Sequence, residues 1–368
     1  MAHATHKIRL YPNKSQSAWL KKACGISRFV YNWALTEWSK QYEEFKQDNT
    51  KPKPSRFSLS NQLNKLKISD PNLKWLTETS DQPAQNALQD LDTAFKKFFK
   101  KQASYPCFKK AKSKRSFRQY IRGEVFVNDK LKLQKLKQPI KMAEQWRFAP
   151  DAKFLFLTVS EQNNKWYAAI TAEIPDCALP KGLDSETVGI DLGITTLATL
   201  SNGQKLTKRK TNKKDKERLK RLQRRLSKKK KGSKNRLKAK TKLANLYEKI
   251  ANRREHDIQT ITTSLAKQYQ NIVLESLNVK GMMKNHKLAA AISDASFYRF
   301  KSELTRKVLI RQGTVNEVNQ WFPSSKLCSN CGAKNNALEL KDRIWICTNC
   351  NAIHDRDVNA ATNLKNAF

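Results

Sequence analysis

Apolar positions change their spacing three times along the chain. A short strand-like run, IRLYPN, closes at Pro12–Asn13. The segment KSQSAWLKKACGISRFVYNWALTEWSKQY then places Trp19, Leu20, Ala23, Val30, Trp33 and Leu35 near helical spacing. A Lys/Pro-rich loop, NTKPKPS, follows, and NALQDLDTAFKKFFKK sets Leu88, Leu91, Phe95 and Phe98 on one helical face. These large aromatics are of the kind that cores bury. From about 116 to 178 the spacing shifts to alternation: EVFVNDKLKL turns at Asn-Asp, and FLFLTVSEQNNKWYAAITAEIP turns at Asn163–Asn164. Those strands predict a small β-barrel, which the N-terminal IRLY strand completes, leaving the helical segment as an insertion. PDCALPKGLDSET reads as a linker into a third region, which opens on TVGIDLGITTLATLSNGQ.

Charge changes the picture of that third region. The 73 Lys+Arg against 32 Asp+Glu in 368 residues leave a net +41, far more than solubility requires, and a field of that sign recruits a polyanion, above all nucleic acid. Between Lys205 and Lys242 stand 21 Lys/Arg against only Asp215 and Glu217. Leu219, Leu222, Leu226, Leu243, Leu246 and Ile250 nevertheless keep helical spacing. The run therefore reads as a helical hairpin over about 205–257, broken at KKGSK, apolar inside and basic outside. Lys220, Arg221, Arg224 and Arg225 are its candidate phosphate contacts, and such a surface binds without reading sequence and loses affinity steeply with salt. No apolar run approaches the length of a membrane span, no amphipathic anchor or lipidation signal is evident, and the N-terminus lacks a signal core. The expected location is the cytosol or nucleoid, with no membrane partner.

Candidate chemistry rests on three acids. Asp191 interrupts the apolar strand around Val188 and Ile190, and a buried aspartate is costly unless paired or metal-bound. Glu275 ends the strand Ile272–Leu274, where ligand sites gather in α/β sheets. Asp357 opens a helix packed through Ala360, Ala361 and Leu364, with Asp355 as the competing acid or the cap of that helix. An acid on a first strand, another after a middle strand and a third opening a final helix is the layout of an RNase H-like nuclease. Three such carboxylates suit two catalytic Mg²⁺, hard cations that prefer oxygen.

Between the second and third acids lie Cys328, Cys331, Cys347 and Cys350, spaced Cys-x2-Cys-x15-Cys-x2-Cys. That spacing predicts one tetrahedral zinc with no open position, hence a structural ion. Two disulfides are the alternative, which a reducing compartment disfavours. Cys24, Cys107 and Cys177 lack partner spacing and are expected to be ordinary buried or partly buried thiols.

The stretches KIRLYPN, GISRFVYNWAL, VGIDLGITTLATL, LESLNVKGM, FPSSKLCSNCG and HDRDVNAATNL together resemble TnpB, the RNA-guided nuclease family of bacterial insertion sequences, related to compact type V CRISPR effectors. The resemblance spans almost the whole chain. It implies an α+β multidomain fold: a wedge-type β-barrel (1–15 and 116–178) with an inserted helical recognition region (16–115), then a RuvC-like nuclease domain (179–323 and 353–368) interrupted by a zinc ribbon (324–352). It further implies a guide RNA from the transposon end and a double-stranded DNA target beside a short adjacent motif. Carried over, the catalytic triad falls on Asp191, Glu275 and Asp357, with Asn359 as a supporting hydrogen-bonder. Ser60, Gln82 and Gln85 are implied to face the adjacent-motif duplex. TnpB proteins commonly continue into a polar tail, whereas this sequence stops at Phe368; the core site is expected to be intact.

The competing readings are a guided DNA-binding protein or transposition accessory without cleavage, against which the intact triad argues, and a strand-joining transposase, for which no tyrosine stands beside a metal-binding His pair. One protein or two on each RNA are both compatible with the sequence.

Overall fold

The computed structural model describes the chain except at residues 1, 112–114, 122, 124, 128, 146, 147, 149–151, 175–182, 210–212 and 340. Cys177 and most of the linker segment therefore lie outside the described residues. Two compact units are formed, Met1–Pro175 and Asp176–Phe368.

In the first unit, β1 (Ala2–Tyr11) leads into α1 (Lys14–Gln47), α2 (Arg56–Ser69), a 3-10 turn (Pro71–Thr77) and α3 (Gln82–Phe99). The strands β2 (Arg115–Tyr120), β3 (Phe126–Val127), β4 (Lys130–Leu131), β5 (Ile140–Met142), β6 (Lys153–Gln162) and β7 (Lys165–Ile174) follow. All seven strands form one antiparallel sheet in the order β2-β6-β7-β1-β5-β4-β3. Asn163 and Asn164 turn the β6–β7 hairpin with φ of 50° and 59°, the left-handed pair that a tight hairpin demands and that asparagine tolerates.

The strands expected to build a small barrel form, among the described residues, a curled half-barrel sheet with β2 and β3 at its edges. Strands β3, β4 and β5 are too short to carry the ladder round, and helix α1 covers the apolar face instead. Asn13 and Gln16 form a capping box that fixes where α1 starts. Its first turns place Leu20, Ala23 and Cys24 in the core of the sheet with Ile8, Leu157 and Ile170. Its later turns bury Ile26, Val30 and Leu35 against Leu59 and Leu63 of α2 and Leu88, Leu91 and Phe95 of α3.

The second unit runs β8 (Asp184–Asp191), β9 (Ala198–Leu200), β10 (Lys205–Leu206), α4 (Lys213–Ser227), α5 (Lys234–Gln268) and β11 (Tyr269–Glu275). It continues through α6 (Val279–Met282), α7 (Ala289–Ala295), α8 (Phe297–Ile310) and β12 (Thr314–Val318) to β13 (Ile344–Ile346), β14 (Ile353–Asp355) and α9 (Arg356–Asn366). The sheet order is β10-β9-β8-β11-β12, with β8, β11 and β12 parallel and β9 and β10 antiparallel. Alternation decides the two faces of β11. Ile272 and Leu274 enter a core with Val188, Ile190, Phe300 and Leu304, whereas Val273 packs opposite with Val318 and Leu364 of α9. Among the described residues, no helix is long and apolar enough to cross a membrane.

Helix α9 reaches β8 through Gly189. A Cβ there would stand 1.9 Å from the Ala361 carbonyl oxygen and 2.6 Å from the Lys365 nitrogen. Gly189→Ala is therefore expected to cost about 3 kcal/mol. In calorimetry of the full chain, the transition of the second unit moves to lower temperature; an unchanged profile would show that α9 yields at no cost.

Candidate active site and metal centre

Parallel pairing of β8 and β11 aligns Ile190 with Leu274, so Asp191 and Glu275 leave the sheet at the same edge. Asp357, in the first turn of α9, joins them. All three line one cleft of about 570 Å³ that also takes Thr195, Lys326, Arg343 and Arg356. Burial, followed by the negative charges of Asp357 and Glu275, pushes the Asp191 carboxyl up to about 7, opposed by Arg356 and a hydrogen bond from the Leu192 backbone. Burial raises Glu275 as well. The donors are oxygen alone, which suits hard divalent cations, and the mutual repulsion is what a bound cation relieves.

In the absence of magnesium the folded chain holds a proton on Asp191 that the unfolded chain has lost between about pH 4 and 7, so stability is highest below that window and falls as pH rises through it. The second unit is expected to melt lower at pH 7.5 than at pH 5.5 in magnesium-free buffer, and Asp191→Asn is expected to shrink that difference. Equal shifts in the two proteins would remove Asp191 as the cause.

The structure gives the two acids of HDRD different work. Asp355 accepts from the backbone N–H of Asp357 and Val358, each at 3.1 Å, and so caps α9; its other oxygen meets Lys205 Nζ at 2.6 Å. Against the opposing effect of its partial burial, Lys205 and those amides hold its carboxyl below the usual range. Asp357 faces the cleft, where Arg343 Nη1 stands 3.4 Å from Oδ1.

Cys328, Cys331, Cys347 and Cys350 bring their sulfurs within 4.8 Å of one another, and all four are free thiols. Among the described residues they are the one set of potential ligands drawn that closely. The two knuckles support each other. Asn330 of the first donates to Cys350 Sγ at 3.6 Å, and Asn349 of the second donates to Cys331 Sγ at 3.5 Å. The Asn349 amide leads in drawing the Cys331 thiol down to about 6, toward the thiolate a zinc ion needs. His354 Nε2 lies 3.0 Å from Cys328 Sγ.

The thiol cluster is tied to the acid-bearing helix. Asn359, buried in α9, accepts from the Ser329 N–H at 2.9 Å and donates to the Leu327 carbonyl at 2.7 Å, thus bracketing Cys328. Asn363, one turn on, donates to the carbonyls of Ser324 and Leu327, both at 2.7 Å.

Of the remaining sequence-derived candidates, Lys220, Arg221, Arg224 and Arg225 share an exposed, shallow concavity on α4. The leucines opposite them, Leu219, Leu222 and Leu226, are half-buried. Gln85 donates to Ser60 Oγ at 3.3 Å across α3 and α2, whereas Gln82 Oε1 turns toward the Tyr120 N–H at 3.4 Å. Cys24 is buried, but Cys107 is exposed, contrary to expectation, because Pro106 turns inward and leaves Tyr105, Cys107 and Phe108 at the surface. Sequence reasoning passed over Lys326, Arg343 and Arg356 in the cleft and Asn363 beneath the knuckle. Only Arg356, set between two acids, carried a local signal.

The architecture of the whole chain has a counterpart among solved structures. It superposes on Cas12f1 in a solved Cas12f1–sgRNA–target DNA complex with a TM-score of 0.57 over 96% of this chain and 83% of that one, at 17% identity, a likeness of fold alone. Family models match residues 157–286 ("Probable transposase"), 297–364 ("Cas12f1-like, TNB domain") and 1–47 ("Helix-turn-helix domain"). In this chain the last stretch forms a strand and one long helix. A Streptomyces pristinaespiralis protein named "Putative RNA-guided DNA endonuclease" is 37% identical over 360 residues, covering 97% of this chain and 87% of its own length. The similarly named InsQ of Escherichia coli K12 is 30% identical over 375 residues, covering 97% and 90%. The chain belongs to the TnpB family.

Proposed function

We propose that this protein is an RNA-guided DNA endonuclease that cuts double-stranded DNA beside a short adjacent motif, directed by RNA from the transposon end. The observation that carries the reading is the meeting of Asp191, Glu275 and Asp357 in one cleft at the carboxyl edge of parallel strands. The order β10-β9-β8-β11-β12 with α9 packed on β8 supports an RNase H-like, RuvC-type domain over 179–323 and 353–368, interrupted by a zinc ribbon at 324–352. The half-barrel strands and the inserted helices of the first unit are its wedge and recognition regions.

Asp191, Glu275 and Asp357 would hold Mg²⁺ in the cleft, where it would supply an activated water and neutralise charge developing on the scissile phosphate. Lys326, Arg343 and Arg356 line the same cleft and offset the phosphate. Four thiols leave no open position, so a zinc ion there serves the fold. The guide pairs with target while the protein grips backbone, a task suited to the basic face of α4.

The test is to express the protein with its native flanking DNA and sequence the RNA that co-purifies. One discrete RNA ending in transposon-boundary sequence, followed by Mg²⁺-dependent cutting of a matched duplex, is expected. Heterogeneous RNA overturns guidance, and a gel shift without cutting leaves the guided binding protein as the reading.

A further inference from the structure

Trp321 is the one exposed tryptophan among those described, with 82% of its surface open, and it lines the cleft of Asp191, Glu275 and Asp357. Its exposure is built, not incidental. The next residue, Phe322, turns inward against Val273, Val318 and Leu364. Asn319 fixes the turn from outside: its Oδ1 accepts from the Trp321 N–H at 3.0 Å, and its carbonyl from the Phe322 N–H at 3.0 Å. With Phe322 anchored and the turn pinned, the indole is held out over the cleft. Leu288, 44% exposed, is a second apolar residue of the same lining, and Lys326, Arg343 and Arg356 supply cations.

An apolar aromatic face, cations and carboxylates around one cleft match the three parts of a nucleotide: base, phosphate and the metal-facing oxygens. A base in a duplex is already stacked and offers no free face. We propose that Trp321 is a stacking platform for an unpaired base of the DNA strand entering the cleft, so that the site takes single-stranded DNA and sets which phosphodiester lies at the acids. This rests on the nuclease reading above.

The experiment uses the guide-loaded protein and matched targets with a single abasic site moved one position at a time across the cut. Wild type is expected to slow about tenfold when the missing base falls at one position, from the usual strength of base–aromatic stacking. Trp321→Ala is expected to slow about as much on intact DNA and to be indifferent to that position, with Trp321→Phe in between. Wild-type rates for Trp321→Ala, or a further slowing of Trp321→Ala by the abasic site as large as that of wild type, overturn the proposal. If no matched target is cut by wild type, the nuclease reading fails separately, and stacking is then read by tryptophan fluorescence with oligodeoxythymidine. Quenching that Trp321→Phe abolishes supports the platform; quenching that it leaves unchanged overturns it.

Discussion

Asp191→Asn is expected to lower cleavage of a guide-matched duplex by about a thousandfold or more while leaving target binding nearly unchanged. The substitution keeps the shape of the side chain and removes its charge, so the loss reads the carboxylate itself. Asp191 is also the acid that pays most for its position, since burial and two neighbouring carboxylates oppose its ionisation. Its replacement should therefore make the magnesium-free protein more stable at pH 7.5 even as it removes activity, a paired signature that general misfolding does not give. Asp357→Asn should be as inactive. Asp355→Ala should lose a helix cap, worth about 1 kcal/mol, and retain cutting at low temperature. Single-turnover assays of the three variants decide the matter. Full activity of Asp191→Asn, or equal loss in all three, would refute the assignment.

Removing zinc is expected to abolish cleavage while guide RNA is still bound. Structural zinc sites contribute about 10–16 kcal/mol to folding of isolated modules, so a chelated or Cys347→Ser ribbon loses its organising centre. The effect extends past the ribbon because Asn359 brackets Cys328 and Asn363 holds Ser324 and Leu327. With the knuckle loosened, both asparagines lose buried partners, and α9 loses the contacts that aim Asp357. Zinc content by mass spectrometry, a gel shift with guide and a cleavage assay separate the cases. Full cutting by zinc-free protein would show the ribbon to be dispensable to the acids.

Legibility in the sequence followed the range of the physics involved. The β6–β7 hairpin was readable because period-two alternation and Asn163–Asn164 act locally, and the four cysteines because ligand spacing is itself local. The half-barrel was not, because strands of two or three residues such as β3 and β4 leave almost no periodic signal, and nothing in α1 announces that it serves two cores. Asp355 and Asp357 look alike on paper, both preceding an Ala-rich helix. Their roles separate only through two amide hydrogen bonds and Lys205, which lies far away in sequence. Arg343 and Trp321 arrive from loops whose polar, aperiodic sequence does not reveal where they fold.

The long first helix sets a rule on length as well as on composition. Its 34 residues span roughly 50 Å, and the turn after Cys24 passes from one hydrophobic core to another. Leu20 and Val30 thus face different partners from a single rigid rod, with their relative azimuth fixed by the residues between them. One inserted residue would turn the second half by about 100° and carry Val30 and Leu35 away from α2 and α3. An insertion of about seven residues restores the facing but displaces the helices by roughly 10 Å. The spacing between the two cores is thereby as constrained as any side chain within them, and natural length variation in this unit belongs in its loops.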